Sequence, residues 1–428
     1  MSRPAYRWEL ASAACMPMAL ACVEGSTIGV IAQKTFGADN LVIALLTAAP
    51  ALSQILSFLW ARILHGIDRV RAIGTMQAYV VACVILIALA PISPFGEGLI
   101  VAAVLAARSA MSGIMVARAD VWRANYPRNA RARATGKLSM VMTLVNSTSA
   151  LVIGTLMDIE QLGVNGFRYF YALAACMGLV GIWAFSHVRW RGRSAHIATE
   201  RNDDSAQTHA TARAMFNTLR ADRAYRRFMS AQFALGFSNL AATAPFIIAL
   251  ELIFAPSYTQ ALLLTTVLPL LVPILAIPMW AKLLDRMHIV QFRVYHSWSF
   301  VIANVLIFLA FITQSLPLMF LARIALGVGF GGGMLAWNLG HHDFATRETA
   351  PIYMGIHATL TGVRGAIGPF IGVVLFSGAT ITIGAAHLEL PPLGAYTFAF
   401  FAAASAVGAI MFARLHADIG QSLGPRAN

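Results

Sequence analysis

Charge is scarce in this 428-residue chain. Only 11% of its residues are Asp, Glu, Lys or Arg, where soluble domains carry roughly a quarter. Hydrophobic residues make up 58%, and no soluble core hides that much apolar surface, so an ordinary soluble protein is excluded. Acids are the scarcest charges, 18 against 31 Lys and Arg. Cysteines number 4: Cys15, Cys22, Cys83 and Cys176, all within apolar runs. That excludes a disulfide framework. No Cys-x-x-Cys, Ser-His-Asp arrangement or pair of carboxylates supports hydrolysis, so the chain does not read as an enzyme. A cleavable leader is not expected either, because the first apolar run is too long for one and continues past Glu24.

What is abundant is long apolar sequence. A membrane-crossing helix needs about 20 mostly apolar residues. Twelve such runs are present, at roughly 11–33, 41–60, 72–92, 98–118, 138–157, 166–188, 228–253, 259–280, 291–313, 316–337, 351–377 and 393–413. The expected fold is all-α and integral to a bilayer. Six spans form a bundle at 1–188, a polar linker follows at 189–227, and six spans form a second bundle at 228–428. Within the linker, 191–211 reads as a flexible tether. The stretch 212–227 places Met215, Phe216, Leu219 and Tyr225 at helical spacing among arginines, as an interfacial helix on an anionic leaflet would.

The net charge of +13 would suggest nucleic-acid binding in a soluble protein. Its location points elsewhere. With a cytoplasmic N-terminus, the inner segments hold two Lys or Arg at the N-terminus, three after span 2, six after span 4 and nine in the linker. Three more follow span 8, one follows span 10 and two lie at the C-terminus. The outer loops hold only Lys34 and Arg168. This asymmetry places both termini in the cytoplasm and argues against a nucleic-acid partner.

The two halves share a motif. Trp60-Ala61-Arg62-Ile63-Leu64 recurs as Trp280-Ala281-Lys282-Leu283-Leu284, and an Asp-Arg pair follows each copy, Asp68-Arg69 and Asp285-Arg286. Aligning those pairs gives the first half three extra residues, His65-Gly66-Ile67. Arg108 and Trp122 then match Arg323 and Trp337. Internal repeats of this kind build the central site of many secondary transporters.

Twelve spans split six and six, with Asp-Arg after spans 2 and 8, resemble the major facilitator superfamily. Gly66-Ile67-Asp68-Arg69-Val70-Arg71 keeps the Asp-Arg core of that family's loop signature and departs from its spacing. Arg323-Ile324-Ala325-Leu326-Gly327 resembles its Arg-x-x-x-Gly motif, one half later than usual. Gly368-Pro369-Phe370-Ile371-Gly372 resembles the Gly-Pro signature of its antiporters, in span 11 instead of span 5. The stretches 123–133, 337–344 and 353–365 resemble a branch found in bacterial magnetosome membranes. That likeness implies an iron cargo, the magnetosome or inner membrane as location, and other magnetosome membrane proteins as neighbours.

Charged residues inside spans are rare and are functional candidates by default. In the resembled fold, Glu24, Arg108, Arg323 and Arg364 lie on helices that reach the cavity, with His357 about two turns before Arg364 and so on nearly the same face. Glu24 is the candidate for proton coupling, or else a structural partner of Arg108. Two buried arginines favour an anionic solute. Asp68, Arg69, Asp285 and Arg286 are candidate gate residues. His341, His342 and Asp343 offer imidazole and carboxylate to a metal, or simply a polar helix end. Cys15, Met18 and Cys22 are ordinary filler before they are a copper path. The run Gly327–Gly333 implies a bend or close packing.

The expected function is a secondary transporter working by alternating access. It would be proton-coupled and would move iron or an iron complex out of the cytoplasm, with no bound cofactor. The alternatives are an exporter of an organic anion or drug-like solute, and a transporter-like scaffold or sensor without flux.

Overall fold

A computed structural model describes residues 3–202, 212–346, 349–383 and 386–419. Its helices run, in chain order, α1 (Arg3–Ala21), α2 (Gly25–Ile31), α3 (Asn40–Ile55), α4 (Ser57–Ile63), α5 (Arg69–Leu89) and α6 (Pro94–Asn125). Next come α7 (Arg128–Met157), α8 (Gly166–Ser186), α9 (Arg193–Asn202), α10 (Ala212–Ala221), α11 (Arg223–Ala241) and α12 (Thr243–Phe254). The last are α13 (Tyr258–Leu262), α14 (Leu268–Leu284), α15 (Ile289–Ile312), α16 (Leu316–Leu339), α17 (Ala350–Ser377) and α18 (Tyr396–Ile419).

Ten spans among the described residues are single stretches long and apolar enough to cross a membrane. An eleventh is bent by 40° between Ala21 and Gly25. The expected run at 41–60 is instead α3, a shorter apolar helix of 16 residues, with α4 following a break at Leu56. Local chemistry sets several helix starts. Asp68, Ser93, Asp222, Ser257 and Ser315 each accept a backbone N–H from the first turn of the helix they precede. A hairpin of β1 (Ala379–Ile383) and β2 (Ala386–Leu390) joins α17 to α18, with Ala379 opposite Leu390. The sequence reading placed only a loop there.

The chain divides into two compact units. Described residues of the first fall within 1–42, 49–208 and 256–267, and those of the second within 43–48, 209–255 and 268–428. Small residues let helices within each unit approach closely, which supplies packing where lipid supplies no hydrophobic drive. In the first, a Cβ at Gly181 of α8 would lie 2.8 Å from the Met16 backbone nitrogen of α1. In the second, a Cβ at Gly372 of α17 would overlap the Ala241 carbonyl of α11. There the Gly-Pro signature marks a helix contact. A buried polar chain also ties α11, α15 and α18, with Ser238 Oγ 2.6 Å from Ser405 Oγ, which accepts from Asn304 Nδ2 at 3.2 Å.

The structure corrects the register of the repeat. Asp68 caps α5 by accepting the Val70 N–H at 3.0 Å, and His288 caps α15 by accepting the Val290 N–H at 3.2 Å. Trp60 to Trp280, Leu64 to Leu284, and Asp68 to His288 therefore keep one constant offset, with no insertion. Asp285 and Arg286 correspond to His65 and Gly66, not to Asp68 and Arg69. The sequence alignment matched like residues, whereas the backbone cap is what the two halves share.

The linker also differs from expectation. Residues 203–211 lie outside the described residues, but 193–202 are helical and docked on the first unit. Arg193 Nη2 meets Asp68 at 3.0 Å. Glu200 accepts from Arg69 at 2.7 Å and from the Gly66 N–H at 2.8 Å. Further on, α10 turns Met215 and Leu219 against the core of the second unit. It leaves Phe216, Arg213 and Arg220 exposed. Charged hydrogen bonds are worth about 1.5–3 kcal/mol, so Glu200→Gln is expected to release α9. Limited trypsin digestion should then cut at Arg193 and Arg201 roughly tenfold faster than in the parent protein.

Candidate functional site

The bend in the first span exposes carbonyls that a continuous helix would satisfy, and in a membrane these need partners. Two side chains from other helices supply them. Tyr171 of α8 donates to the Cys22 carbonyl at 2.7 Å, and Arg108 of α6 donates through Nε to the Val23 carbonyl at 2.8 Å. The same guanidinium donates through Nη2 to Glu24 at 2.5 Å. Glu24 and Arg108 are therefore brought together, as one of the two sequence readings required. The Arg108 side chain is 8% exposed and that of Glu24 is 30% exposed. The carboxylate thus holds a strong partner without being fully buried. Tyr171 was missed, because a tyrosine among apolar residues gives no signal.

A second acid, Glu9, is 2% exposed on α1. The sequence reading placed it before the first span, but α1 begins at Arg3 and carries Glu9 inside. Its carboxylate accepts from Tyr126 Oη at 2.5 Å and from Trp122 Nε1. Arg118, counted above as a loop charge, is buried on α6 within electrostatic reach of Glu9. Buried charge in the first unit thus comes in compensated groups.

The second unit is built differently. Arg293, counted as a loop charge after span 8, is 1% exposed on α15. One of its terminal nitrogens donates to Gln232 Oε1 at 2.5 Å and the other to His296 Nδ1 at 3.0 Å. A guanidinium only donates and a carbonyl only accepts, so His296 is neutral and donates through Nε2 to the Gly329 carbonyl at 2.7 Å. Arg364 of α17 donates to the Gln232 backbone carbonyl at 2.6 Å and to Thr361 Oγ1 at 3.1 Å. His357, buried, lies beside the Trp337 ring at 5.8 Å between centroids. Arg364 thus joins Gln232, Arg293 and His296, and His357 lies within electrostatic reach of both arginines. Arg323, buried as well, stacks on Phe246 at 4.2 Å. Among the described residues of this unit, no Asp or Glu is buried.

The glycine run of α16 serves close packing, and the helix continues through it. Gly332 lies under His296 and Trp280, and Trp280 Nε1 donates to the Val328 carbonyl at 2.8 Å. Gly113 lies likewise under Met76 and Trp60, where a Cβ would meet Met76 Sδ at 2.5 Å. These two glycines are the corresponding positions of the halves. Counted from them, Arg108 is five residues back and Arg323 nine. The two arginines differ by about one helical turn and are not equivalent.

The remaining candidates separate into distinct roles. His341 and His342 have ring centroids 4.2 Å apart, but Asp343 accepts the Ile289 N–H at 2.8 Å. Among the described residues, no three His, Cys, Asp or Glu are grouped to hold a metal ion. Asp68 and Arg69 form a fastening. Arg69 meets Asp120 at 2.9 Å and Glu200 at 2.7 Å, and it donates to the Leu64 carbonyl. Asp285 and Arg286 are exposed.

A further fastening within the first unit was not foreseen. Asp158, just past α7, accepts the Tyr258 N–H at 2.7 Å and the Thr259 N–H at 2.9 Å. Lys34 donates to the Pro256 carbonyl at 2.8 Å, and Thr35 and Tyr258 hydroxyls lie 3.0 Å apart. Partial desolvation raises the Asp158 carboxyl, but the hydrogen bonds from Thr259, Tyr258 and Ser257 outweigh it and hold the carboxyl below its ordinary value. A depressed folded-state pKa contributes stability above the unfolded value and loses it as pH falls through the folded one. Tyr258 and Thr259 amide hydrogen exchange, corrected for its intrinsic pH dependence, should therefore accelerate only below the usual carboxylate range. In Asp158→Asn it should already be fast at neutral pH.

No family model matches the chain, and no curated protein matches it in sequence. Solved structures do. A bacterial homologue of the human lysosomal transporter Spinster, inward-facing and unoccupied, aligns over 100% of both chains with a TM-score of 0.70 and 15% identity. The xylose transporter XylE from E. coli, in a partially occluded inward-open conformation, aligns over 99% of this chain and 98% of its own, with a TM-score of 0.67 and 10% identity. The nucleoside transporter NupG aligns over 97% and 99%, with a TM-score of 0.69 and 12% identity. The chain has the major facilitator fold. At these identities the likeness establishes the fold and leaves the solute open.

Proposed function

We propose that this chain is a secondary active transporter working by alternating access, with Glu24 as its proton-coupling group. The observation that carries this reading is the carboxylate at a helix break, held by Arg108 and only partly buried. Protonation would weaken that pair and free the break, which links proton binding to the geometry of the first span. The transporters named above share the fold, and that supports the same class of activity here.

The buried charge of the second unit supports a negatively charged solute over a bare metal ion. Arg293 and Arg364 are buried there without a carboxylate partner among the described residues. The lack of a three-ligand metal group among those residues points the same way. If the likeness to the magnetosome-membrane protein MamH holds, the solute is an anionic iron complex such as a citrate chelate, moved from cytoplasm to lumen. Otherwise an organic anion leaving the cytoplasm fits the same charge pattern.

Reconstituted proteoliposomes with an imposed proton gradient decide between these solutes. Labelled ferric citrate is expected to cross, and labelled ferrous iron alone is not. Citrate crossing without iron would favour the organic-anion reading. Flux of free ferrous iron would contradict an anionic solute.

A further inference from the structure

Arg293 and Arg364 have no part in the coupling pair of the first unit, yet they are 1% and 5% exposed. Buried guanidiniums within a membrane span ordinarily pair with a carboxylate. These two share one neutral residue instead, Arg293 through the Gln232 side chain and Arg364 through its backbone carbonyl. They are close enough to repel one another, and both act on His357. Neither has a carboxylate partner among the described residues. His296 offers no compensating charge, since an imidazole carries no negative charge and its hydrogen bonds make this one neutral.

Donors are left over as well. Arg293 Nε and Arg364 Nε are buried without a hydrogen-bond partner among the described residues, and so are both ring nitrogens of His357, one of which carries an N–H in either neutral tautomer. Unmet buried donors on positive groups point to an acceptor carrying negative charge. The surroundings limit its size. Arg364 lies flat against α11, where a Cβ at Gly236 would overlap its guanidinium. His357 is 1% and His296 0% exposed.

We propose that Arg293, Arg364 and His357 form a binding site for a compact monovalent anion of chloride's size and charge, resident in the second unit. Gln232 positions the two guanidiniums by accepting from both. The anion neutralises charge that the chain itself leaves uncompensated, and binding it stabilises the folded unit by mass action. The proposal does not depend on what the chain transports.

The test uses the full-length protein in detergent at constant ionic strength, with chloride replaced stepwise for gluconate. Thermal unfolding should shift upward with chloride and saturate. Equilibrium binding of radiolabelled chloride should saturate over the same range. Arg364→Met and Arg293→Met should each weaken that binding at least about tenfold and remove the shift. Lys282→Gln, an exposed cation elsewhere in the unit, should keep both. Bromide in place of chloride should give an anomalous diffraction peak between Arg293 and Arg364. If the wild-type protein binds no chloride and unfolds at the same temperature in both salts, the proposal is overturned. The wild-type result alone suffices if a variant does not fold. An unchanged shift in both arginine variants would overturn it too, by placing the anion elsewhere.

Discussion

Arg108→Met is expected to abolish transport and to destabilise the protein by about 3 kcal/mol. Removing one member of a buried ion pair typically costs about 3–5 kcal/mol, and the lower end applies because Glu24 is partly exposed. Two losses combine. The Val23 carbonyl loses its Nε–H donor, and the Glu24 carboxylate loses the one charged partner it has among the described residues. Glu24→Gln removes only the charge and should cost about 1 kcal/mol, since Arg108 can still donate to an amide oxygen. In the double variant part of the Arg108→Met cost should disappear, because no unpaired carboxylate remains. Thermal unfolding of the four proteins in detergent measures the cycle. Additive losses would show that the pair is not coupled.

Gly332→Val is expected to be the most disruptive single change in the second unit, costing about 3 kcal/mol. A Cβ there would overlap the His296 ring and lie 2.6 Å from its Nε2. The ring cannot swing aside cheaply. It is fixed by the Gly329 carbonyl and Arg293, and packed between Phe292 and Trp280. Displacing it would release Arg293 from one of its two acceptors. The next residue provides the contrast. A Cβ at Gly333 would meet only Phe300, at 3.5 Å, so Gly333→Ala should be tolerated and should gain up to about 1 kcal/mol of helix propensity. Unfolding temperatures of the two variants should move in opposite directions. A similar loss in both would mean that the glycines serve helix bending and not the His296 contact.

Much of the fold was legible because hydropathy is a long-range signal. A run of apolar residues marks a span however its side chains pack, and most expected spans lie within two to eight residues of the observed ones. What hydropathy does not mark is where a helix really ends. Glu9, Arg118 and Arg293 all lie within three residues of an expected boundary, where hydropathy does not separate span from loop. The helices run beyond their apolar windows and bury all three. The acid-free cluster of the second unit therefore had only its Arg364 and His357 half visible.

The site at Glu24 was legible as a pair but not as a break. Ala21-Cys22-Val23-Glu24 holds no proline, and the bend depends on Tyr171 and Arg108 reaching over from other helices. The repeat shows the opposite failure. Its Trp-Ala motif is a true equivalence, but the Asp-Arg pairs are not. Asp68 and His288 share a backbone task that two unlike side chains perform. Likewise, residue spacing made Arg108 and Arg323 look equivalent, whereas the packing of Gly113 and Gly332 places them a turn apart. The two halves share a scaffold and divide the chemistry between them. The first carries a titratable pair at a helix break, and the second carries buried positive charge.

Proton movement is the most direct test of that division. Proteoliposomes holding a trapped pH dye would be given the solute that crosses in the flux assay, with no proton gradient imposed. The wild-type protein is expected to shift the internal pH as the solute moves. Glu24→Gln should still exchange labelled for unlabelled solute while moving no protons. Equal proton movement in both proteins would contradict the assignment of coupling to Glu24.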